Sequence, residues 1–215
     1  MHHNFTPVVF VVDSDVTVRE SLEFLISSAG WRPETFASAQ EFLKRPRTTV
    51  PSCLILDATL PGLNCLELQE RIAAERSDMP IIFLSGRCDI PMTVKAMKNG
   101  ALEFLTKPFD KEALLQAIRQ ALKRSEIALG RESELQMLRA DYGSLTTRER
   151  EVMTLVVSGL LNKQVGGELG ISEITVKAHR GNVMRKMKAD SFVALINMAA
   201  RLRVIRPLAI SAAAR

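Results

Sequence analysis

The sequence predicts an α/β domain with a doubly wound, five-stranded parallel sheet, followed by an all-α domain of four helices. Over residues 7–123, short apolar runs typical of strands buried on both faces alternate with amphipathic helical segments. Such alternation favours parallel strands joined by helices that cover both faces of a sheet. From residue 144 onward the strand-like runs disappear and helical periodicity remains. At 215 residues the chain is long enough for two such domains.

The elements of the first domain follow one another in regular order. Apolar or short extended runs predict strands at residues 8–12, 32–35, 53–56, 81–84 and 102–106. Periodic segments predict helices at residues 16–28, 39–44, 66–72, 92–98 and 110–122. Asn99 and Gly100 form a stop signal for the fourth of these helices, and Asp110 is a good N-cap for the fifth.

Polar residues end four of the predicted strands. Asp13 and Asp57 follow the first and third apolar runs, Ser85 follows the fourth, and Lys107 follows the last strand. Open parallel sheets form their sites beyond the carboxyl ends of their strands, so these side chains should converge in one crevice. Two carboxylates, a hydroxyl and an ammonium suit a small anion together with a hard cation.

Capping signals predict the helices of the second domain. Thr146 and Glu149 have the spacing of a capping box. Further start and stop signals occur at Gly170, at Ser172, and at Asp190 or Ser191. The result is a short helix over 163–169, a tight turn with glycine, and a longer basic helix that reaches Met187. This order is typical of a helix-turn-helix unit.

The longer basic helix has two different faces. At about 100° per residue, Val176, Val183 and Met187 share one face. The opposite face carries long cations and very small residues, namely Lys177, Ala178, Gly181 and Arg185. Small residues allow close approach to a major groove, so we expect this face to read DNA bases. Candidate phosphate contacts are Lys163, Thr175, Lys186, Lys188 and, at the border of the buried face, Arg180. A small helical bundle with a solvated basic face is the alternative.

The positive charge of the chain is concentrated in the second domain. Residues 1–143 hold 17 Lys and Arg against 19 Asp and Glu, whereas residues 144–215 hold 12 against 5. This asymmetry favours a nucleic-acid surface on the second domain alone. No apolar run approaches the ~20 residues of a membrane span, and no secretion signal opens the chain. We therefore expect a cytoplasmic protein without a membrane partner, in which the three cysteines are reduced thiols.

The segment 124–143 between the two domains is charged and lacks strand character. Leu129, Leu135 and Leu138 keep a helical rhythm around Gly130, which favours a helical linker over a loosely ordered tether. We therefore expect a first domain at 7–123, a linker at 124–143, a second domain at 144–204 and a tail at 205–215.

These motifs resemble those of two-component response regulators of the FixJ/NarL type. Residues 7–123 resemble a flavodoxin-like receiver domain through Val11-Val12-Asp13, Leu56-Asp57, Leu60-Pro61-Gly62, Leu84-Ser85-Gly86, Asp89-Ile90-Pro91 and Lys107-Pro108-Phe109. Residues 144–204 resemble a LuxR-type helix-turn-helix domain through Leu145-Thr146, Asn162-Lys163, Leu169-Gly170-Ile171-Ser172 and Thr175-Val176-Lys177. The two sets of motifs cover most of the chain, in the order that this family has them.

The resemblance implies a phosphorylation-controlled transcription regulator. Asp57 would accept a phosphoryl group from a sensor histidine kinase, and Ser85, Phe104 and Lys107 would respond to it. Mg²⁺ (or Mn²⁺) would be bound by Asp13, Asp57 and the carbonyl oxygen of Thr59, with Ser14 and Asp15 as further candidates. The Lys107–Pro108 peptide bond would be cis. The implied partners are double-stranded operator DNA, a second copy of the chain when it is phosphorylated, and RNA polymerase as a further candidate.

Three positions in the receiver depart from the family pattern, namely Ser14, Cys65 and Arg87, the last of which replaces a frequent histidine and adds a cation near the mouth of the site. Ser14 replaces an acid that often binds the metal, and an uncharged ligand should lower magnesium affinity. Cys65 replaces a common glycine, so a positive φ there would be strained. In the second domain, Gly166 and Gly167 inside a predicted helix suggest close helix packing or a soft DNA-binding domain.

Two other functions stay open at this point. The substitution at Ser14 keeps open a DNA-binding regulator with a degenerate receiver that works without phosphorylation. A phosphatase or nucleotide-binding enzyme is a remote alternative, because no glycine-rich phosphate loop follows the first strand.

Overall fold

The computed structural model describes residues 6–60, 65–86 and 90–204. The motif residues Pro61, Gly62 and Asp89, the cation Arg87 and the predicted tail 205–215 lie outside the described residues. The chain separates into two compact units, with the division between Arg131 and Glu132.

The first unit contains a five-stranded sheet in which every strand is parallel to its neighbours, in the order β2-β1-β3-β4-β5. Its elements are β1 Val8–Val12, α1 Val16–Ser28, β2 Arg32–Phe36, α2 Ala39–Leu43, β3 Ser52–Asp57, α3 Cys65–Glu75, β4 Ile81–Ser85, α4 Ile90–Lys98, β5 Glu103–Thr106 and the first part of α5 Lys111–Gly143. Strand β3 lies at the centre, between β1 and β4. The predicted α/β fold class is confirmed.

Alternate residues of the strands enter two separate cores on the two faces of the sheet. Phe10 of β1 and Phe83 of β4 share one core with Leu68 and Ile72 of α3. Val11 of β1 lies in the other core, beside the buried side chains of α1 and α5. Because both faces are covered, the strands consist of near-continuous apolar runs, as the sequence indicates.

The second unit is all-helical within the described residues. It contains the last part of α5, then α6 Thr147–Val157, α7 Asn162–Leu169, α8 Glu173–Lys186 and α9 Phe192–Leu202. The capping box of Thr146 and Glu149 is present, and Ser172 and Ser191 cap α8 and α9. Ser191, and not Asp190, therefore starts the fourth predicted helix.

Gly166 of α7 is required by close packing. A Cβ atom at this residue would lie 2.7 Å from the carbonyl oxygen of Ile171, which is too close for any side chain. Gly167 has no such neighbour. The first glycine therefore permits the tight turn between α7 and α8, whereas nothing in the structure explains the second.

The predicted linker 124–143 is helical, because α5 runs without interruption over 33 residues. Residues 124–131 belong to the first unit and residues 132–143 to the second. Leu138 is buried in the core of the second unit, and Tyr142 packs against the same core. Gly130 lies inside α5, with no heavy atom of a residue distant in sequence within 4 Å of the position its Cβ would take.

Two expectations about the first unit are wrong. Helix α4 begins at Ile90, two residues earlier than predicted, because Pro91 is tolerated in the first turn of a helix, where an N–H needs no partner. Cys65 begins α3, and among the described residues only Lys188 and Arg203 combine a side chain with a positive φ. The expected strain at Cys65 is therefore absent.

Helix α5 is the longest helix of the molecule as described, but its sequence is too charged for a lipid bilayer. No helix among the described residues is both long and apolar enough to span a membrane.

Candidate functional site

The carboxyl edge of the sheet brings together the four predicted side chains. Asp57 and Ser85 are the last residues of β3 and β4, and Asp13 and Lys107 directly follow β1 and β5. The backbone N–H of Lys107 donates to the carbonyl of Ser85 at 2.7 Å, which joins the ends of the two neighbouring strands. The Lys107–Pro108 peptide bond is cis, as predicted.

Two buried carboxylates share one ammonium in this crevice. Asp13 is 1% exposed and Asp57 is 4% exposed. The Nζ atom of Lys107 lies 2.6 Å from Oδ2 of Asp13 and 3.4 Å from Oδ2 of Asp57. Buried charges need paired partners, so the lysine compensates for the desolvation of both acids.

Further donors hold the two carboxylates in place. Oδ1 of Asp57 accepts hydrogen bonds from the backbone N–H of Thr59 at 2.9 Å and from its hydroxyl at 2.8 Å. Oδ1 of Asp13 accepts from the N–H of Asp15 at 2.9 Å. Arg19 donates to the carbonyl of Asp13 at 2.7 Å. The roles of the Thr59 hydroxyl and of Arg19 were not predicted from the sequence, although a hydroxyl two residues after Asp57 was a usable signal.

The residues present fit a hard divalent ion. Within the described ranges, no group of three or more His, Cys, Asp and Glu side chains could hold a metal ion. A metal here would therefore rely on Asp13 and Asp57 together with backbone oxygens and water. Magnesium binds in this way, through one or two carboxylates while it keeps several waters.

The two additional candidate ligands differ in what they do. The carboxylate of Asp15 accepts from the N–H of Thr17 at 2.8 Å, so it caps α1. Ser14 is exposed. The carboxylate of Asp15 is therefore already engaged in a hydrogen bond to α1, whereas the side chain of Ser14 is accessible from solvent.

Ser85 ends β4, and Phe104 lies on the neighbouring strand β5. Ser85 is buried, and Phe104 is half-buried on β5. The ring of Phe104 stacks on Phe83 with centroids 6.0 Å apart. Phe104 is thus packed against the sheet but retains an exposed part that a rearrangement could bury.

The thiol of Cys65 contacts the backbone of Asp57, the candidate phosphoacceptor. Its Sγ atom lies 3.2 Å from the carbonyl oxygen of Ala58 and 3.4 Å from that of Asp57, as a donor to both. Burial raises the pKa of this thiol, so the donor proton stays in place at neutral pH. The cysteine thus stabilises the first turn after β3.

In the second unit, α8 exposes the predicted recognition face. Val176, Val183 and Met187 are buried. The residues predicted to face DNA are all exposed, namely Lys177, Ala178, Gly181 and Arg185. The prediction of which face is inward is therefore confirmed, whereas contact with DNA stays a prediction.

The cations around α8 differ in their partners. Nζ of Lys186 lies 2.6 Å from Oε2 of Glu149, which is 3% exposed. The Lys186 ammonium, followed by the N–H and hydroxyl of Thr146, holds the pKa of Glu149 below its ordinary value, against the effect of burial. Lys188 lies 2.8 Å from Asp141 of α5. A phosphate contact by Lys186 would compete with a buried ion pair.

The remaining candidate contacts lie around the turn. Lys163 is exposed near the start of α7, and Thr175 shares a hydrogen bond of 2.8 Å with Ser172. Arg180 packs over the ring of Phe192 and donates to Asn162 at 3.2 Å. Arg180 thus combines a packing contact with a position near the proposed DNA surface.

Ile174 in the first turn of α8 was missed by the sequence analysis. Its side chain is 80% exposed, the largest exposed fraction among the large apolar residues described. The helical projection that selected Lys177 and Gly181 would have found it, because it falls on the same side of the helix.

Comparison with protein families gives two matches. The response regulator receiver domain matches residues 9–119. The luxR family of bacterial regulatory proteins matches residues 143–199. The crevice lies within the first matched region and α8 within the second.

Curated relatives match over nearly the full length of both chains. Nodulation protein W of Bradyrhizobium diazoefficiens is 45% identical over 197 residues, which cover 92% of this chain and 87% of that protein. The transcriptional regulatory protein FixJ of the same organism is 39% identical over 193 residues, 90% of this chain and 94% of that protein.

A solved structure matches over the same length. The response regulator StyR is 46% identical with a TM-score of 0.78, over 92% of this chain and all of the StyR chain. With the two family matches and the curated relatives, this shows that the chain belongs to the two-component response regulators, transcriptional regulators in which a receiver domain precedes a LuxR-type DNA-binding domain.

Proposed function

We propose that Asp57 accepts a phosphoryl group from a phosphohistidine of a sensor histidine kinase, and that this modification controls pairing and operator binding. The observation that carries the proposal is the position of the Asp57 carboxylate. It is buried at the end of the central strand, within reach of Lys107 and beside Asp13. A nucleophilic carboxylate and a fixed cation are the groups that phosphoryl transfer requires.

In the proposed transfer, a carboxylate oxygen of Asp57 bonds to the phosphorus as the phosphorus–nitrogen bond of the phosphohistidine breaks. The released imidazole nitrogen takes up a proton. Lys107 provides a positive charge for the transferred group. Asp13, Asp57 and the Thr59 carbonyl would hold Mg²⁺ (or Mn²⁺), which supplies positive charge that offsets the repulsion between acceptor and phosphoryl oxygens.

The response to phosphorylation would start with Lys107. In the unmodified chain its ammonium lies closer to Asp13 than to Asp57. A phosphoryl group on Asp57 attracts this ammonium more strongly than the carboxylate does. Ser85 would donate its hydroxyl to the new group, and Phe104 would move inward, so a local charge change biases a two-state element.

Exposed apolar residues support pairing of two copies. Ile90, Val94 and Met97 are exposed on α4 at helical spacing, so they form one stripe on the receiver. On α9, one side of the helix carries Val193, Ile196 and Ala200, of which Val193 and Ala200 are exposed and Ile196 is half-buried. We propose the stripe on α4 as the contact between phosphorylated receivers and α9 as the contact between DNA-binding domains.

The DNA-binding domain would insert α8 into the major groove of an operator. Lys177, Ala178, Gly181 and Arg185 would face the bases. The side chains that would approach phosphates are Lys163, Thr175, Arg180 and Lys188, while Lys186 would stay paired with Glu149. One recognition helix reads few base pairs, so specific binding would require two copies on half-sites about one helical turn apart. The protein would act in the cytoplasm, where its DNA lies, with RNA polymerase as a further candidate partner.

The decisive experiment is mass measurement after exposure to a small phosphodonor with Mg²⁺. The wild-type chain should gain one phosphoryl mass, and Asp57→Asn should gain none. Asp110→Asn is a matched control, because it makes the same change at a helix cap where asparagine functions equally well. Phosphoryl incorporation by Asp57→Asn would refute the assignment of the acceptor.

A second candidate function is DNA binding without phosphorylation. It is favoured by Ser14, an exposed hydroxyl where the family often has a metal-binding acid. If the wild-type chain gained no phosphoryl mass but still bound a specific operator as a dimer, this second function would replace the first.

A further inference from the structure

We propose that Ile174 is a base-reading residue that contacts the C5 methyl group of a thymine in each operator half-site. The inference rests on the proposed DNA-binding function and deepens it, because it assigns a base to one side chain. It starts from an apolar side chain that is 80% exposed in a domain whose other aliphatic residues largely form a core.

Ile174 lies near the middle of the proposed DNA face. Along α8, at about 100° per residue, it projects within about 20° of Gly181 and Arg185 and about 40° from Ala178. Gly181 and Ala178 leave room for a close approach, since neither projects beyond a methyl group. Ile174 is therefore the largest apolar side chain on a surface that is otherwise small or charged.

The position along the helix also suits base contact. Ile174 is the second residue of α8, directly after Ser172 caps the helix and Glu173 begins it. In helix-turn-helix proteins, residues near the start of the recognition helix approach the base edges. The thymine methyl is the apolar group that an unmodified major groove offers, and aliphatic side chains recognise it by contact.

The charges around Ile174 favour DNA over another protein surface. Lys177 and Arg185 lie on the same face, and Lys177 has only an exposed partner, Glu173, at 3.4 Å. A protein partner that covered Ile174 would have to accommodate both cations, whereas DNA phosphates provide the opposite charge along the groove.

The test replaces single thymines by deoxyuridine, which lacks only the C5 methyl group. A preferred operator is first selected from random DNA with the phosphorylated full-length chain. Each half-site should contain one thymine whose replacement, made in that half-site alone, weakens wild-type binding. The loss should be roughly fourfold, the effect of one buried methyl group on a binding constant. Ile174→Ala should bind the original operator more weakly and lose sensitivity to deoxyuridine at that position.

One control variant separates the possible outcomes. Ile127→Ala makes the same truncation at an exposed residue of α5 in the first unit and should keep the full deoxyuridine effect. The inference is overturned if no deoxyuridine weakens wild-type binding, or if Ile174→Ala keeps the wild-type sensitivity. If selection enriches no sequence at all, the proposed operator binding fails, and the inference fails with it.

Discussion

The crevice of the receiver and the outer face of α8 both present charged side chains, but they differ in burial and in partners. In the crevice, Asp13 and Asp57 are almost fully buried and share the ammonium of Lys107. On α8, Lys177 and Arg185 are exposed, and their contacts are to neighbours on the same helix. The first arrangement fixes each charge in position, whereas the second leaves the charges free to adapt to a surface.

This difference predicts two patterns of response to mutation. A buried charge that loses its partner retains its desolvation penalty, so one substitution in the crevice should have a large effect. Exposed charges act through a screened field, so substitutions on α8 should have smaller effects that depend on salt. Substitution of one residue at a time therefore shows whether its charge is fixed by a buried partner or free to adapt.

The largest effect is expected for Lys107→Ala. Without the ammonium, Asp13 and Asp57 stay buried side by side, which should reduce the free energy of unfolding by about 3 kcal/mol. Mg²⁺ should restore part of this loss, because a divalent ion can replace the missing charge. Denaturant titration with and without Mg²⁺ measures both effects.

Lys123→Ala removes an exposed lysine of α5 and is the control for Lys107→Ala. It should change stability little, with or without the metal. Equal losses for the two variants would show that burial does not distinguish the crevice from the surface.

Lys186 differs from the exposed cations of α8, because its carboxylate partner is buried. Lys186→Met leaves the buried carboxylate of Glu149 without its cation, so the free energy of unfolding should fall by about 2 kcal/mol. The salt dependence of DNA binding should not change, because the amine is engaged with Glu149. A decrease in the salt slope by about one would instead support a phosphate contact.

The same ion pair should have a defined pH dependence. The pKa of Glu149 is lowered on folding, so its contribution is fully present above the ordinary value of 4.5 and is lost as pH falls through the lowered value. The stability difference between wild type and Lys186→Met should therefore shrink as pH falls below 4.5. A constant difference from pH 7 to pH 3 would contradict this account.

Two exposed lysines should separate base reading from phosphate binding. Lys177→Ala should reduce discrimination between operator and random DNA by about 1–3 kcal/mol. Lys188→Ala should weaken binding to both DNAs similarly and reduce the salt slope by about one. The measurement is the affinity of each variant for operator and random DNA across a salt series. Equal losses of affinity on both DNAs for Lys177→Ala would mean that this lysine only binds phosphate.

The smallest change is expected at the rim of the crevice. Ser14→Asp adds a charged oxygen beside Asp13 and should tighten Mg²⁺ binding by roughly tenfold, the scale on which neighbouring groups tune a metal site. Ser77→Asp adds the same charge at an exposed turn before β4 and should have no such effect. A magnesium titration without change in Ser14→Asp would mean that this side chain does not reach the metal.

Strand ends and helix faces could be predicted because they depend on local periodicity. The apolar runs before Asp13 and Asp57 and the two sides of α8 need no knowledge of distant residues. The ion pair of Lys186 with Glu149 depends on tertiary packing over 37 positions, so no local pattern reveals it. The same holds for the packing of Leu138, a linker residue in the sequence, into the core of the second unit. No strain occurs at Cys65, because φ at this residue is not positive. A glycine that is common at this position in the family therefore did not predict the backbone angle of this chain.

Gly130 makes the middle of α5 the weakest part of that helix. Glycine lowers helix stability by about 1 kcal/mol relative to alanine, and no distant atom lies within 4 Å of the position where its Cβ would be. The division between the two units follows one residue later. Backbone amides near Gly130 should therefore exchange with solvent faster than amides in either half of α5. Local opening there leaves both hydrophobic cores intact, so the receiver and the DNA-binding domain should melt as two separate cooperative units.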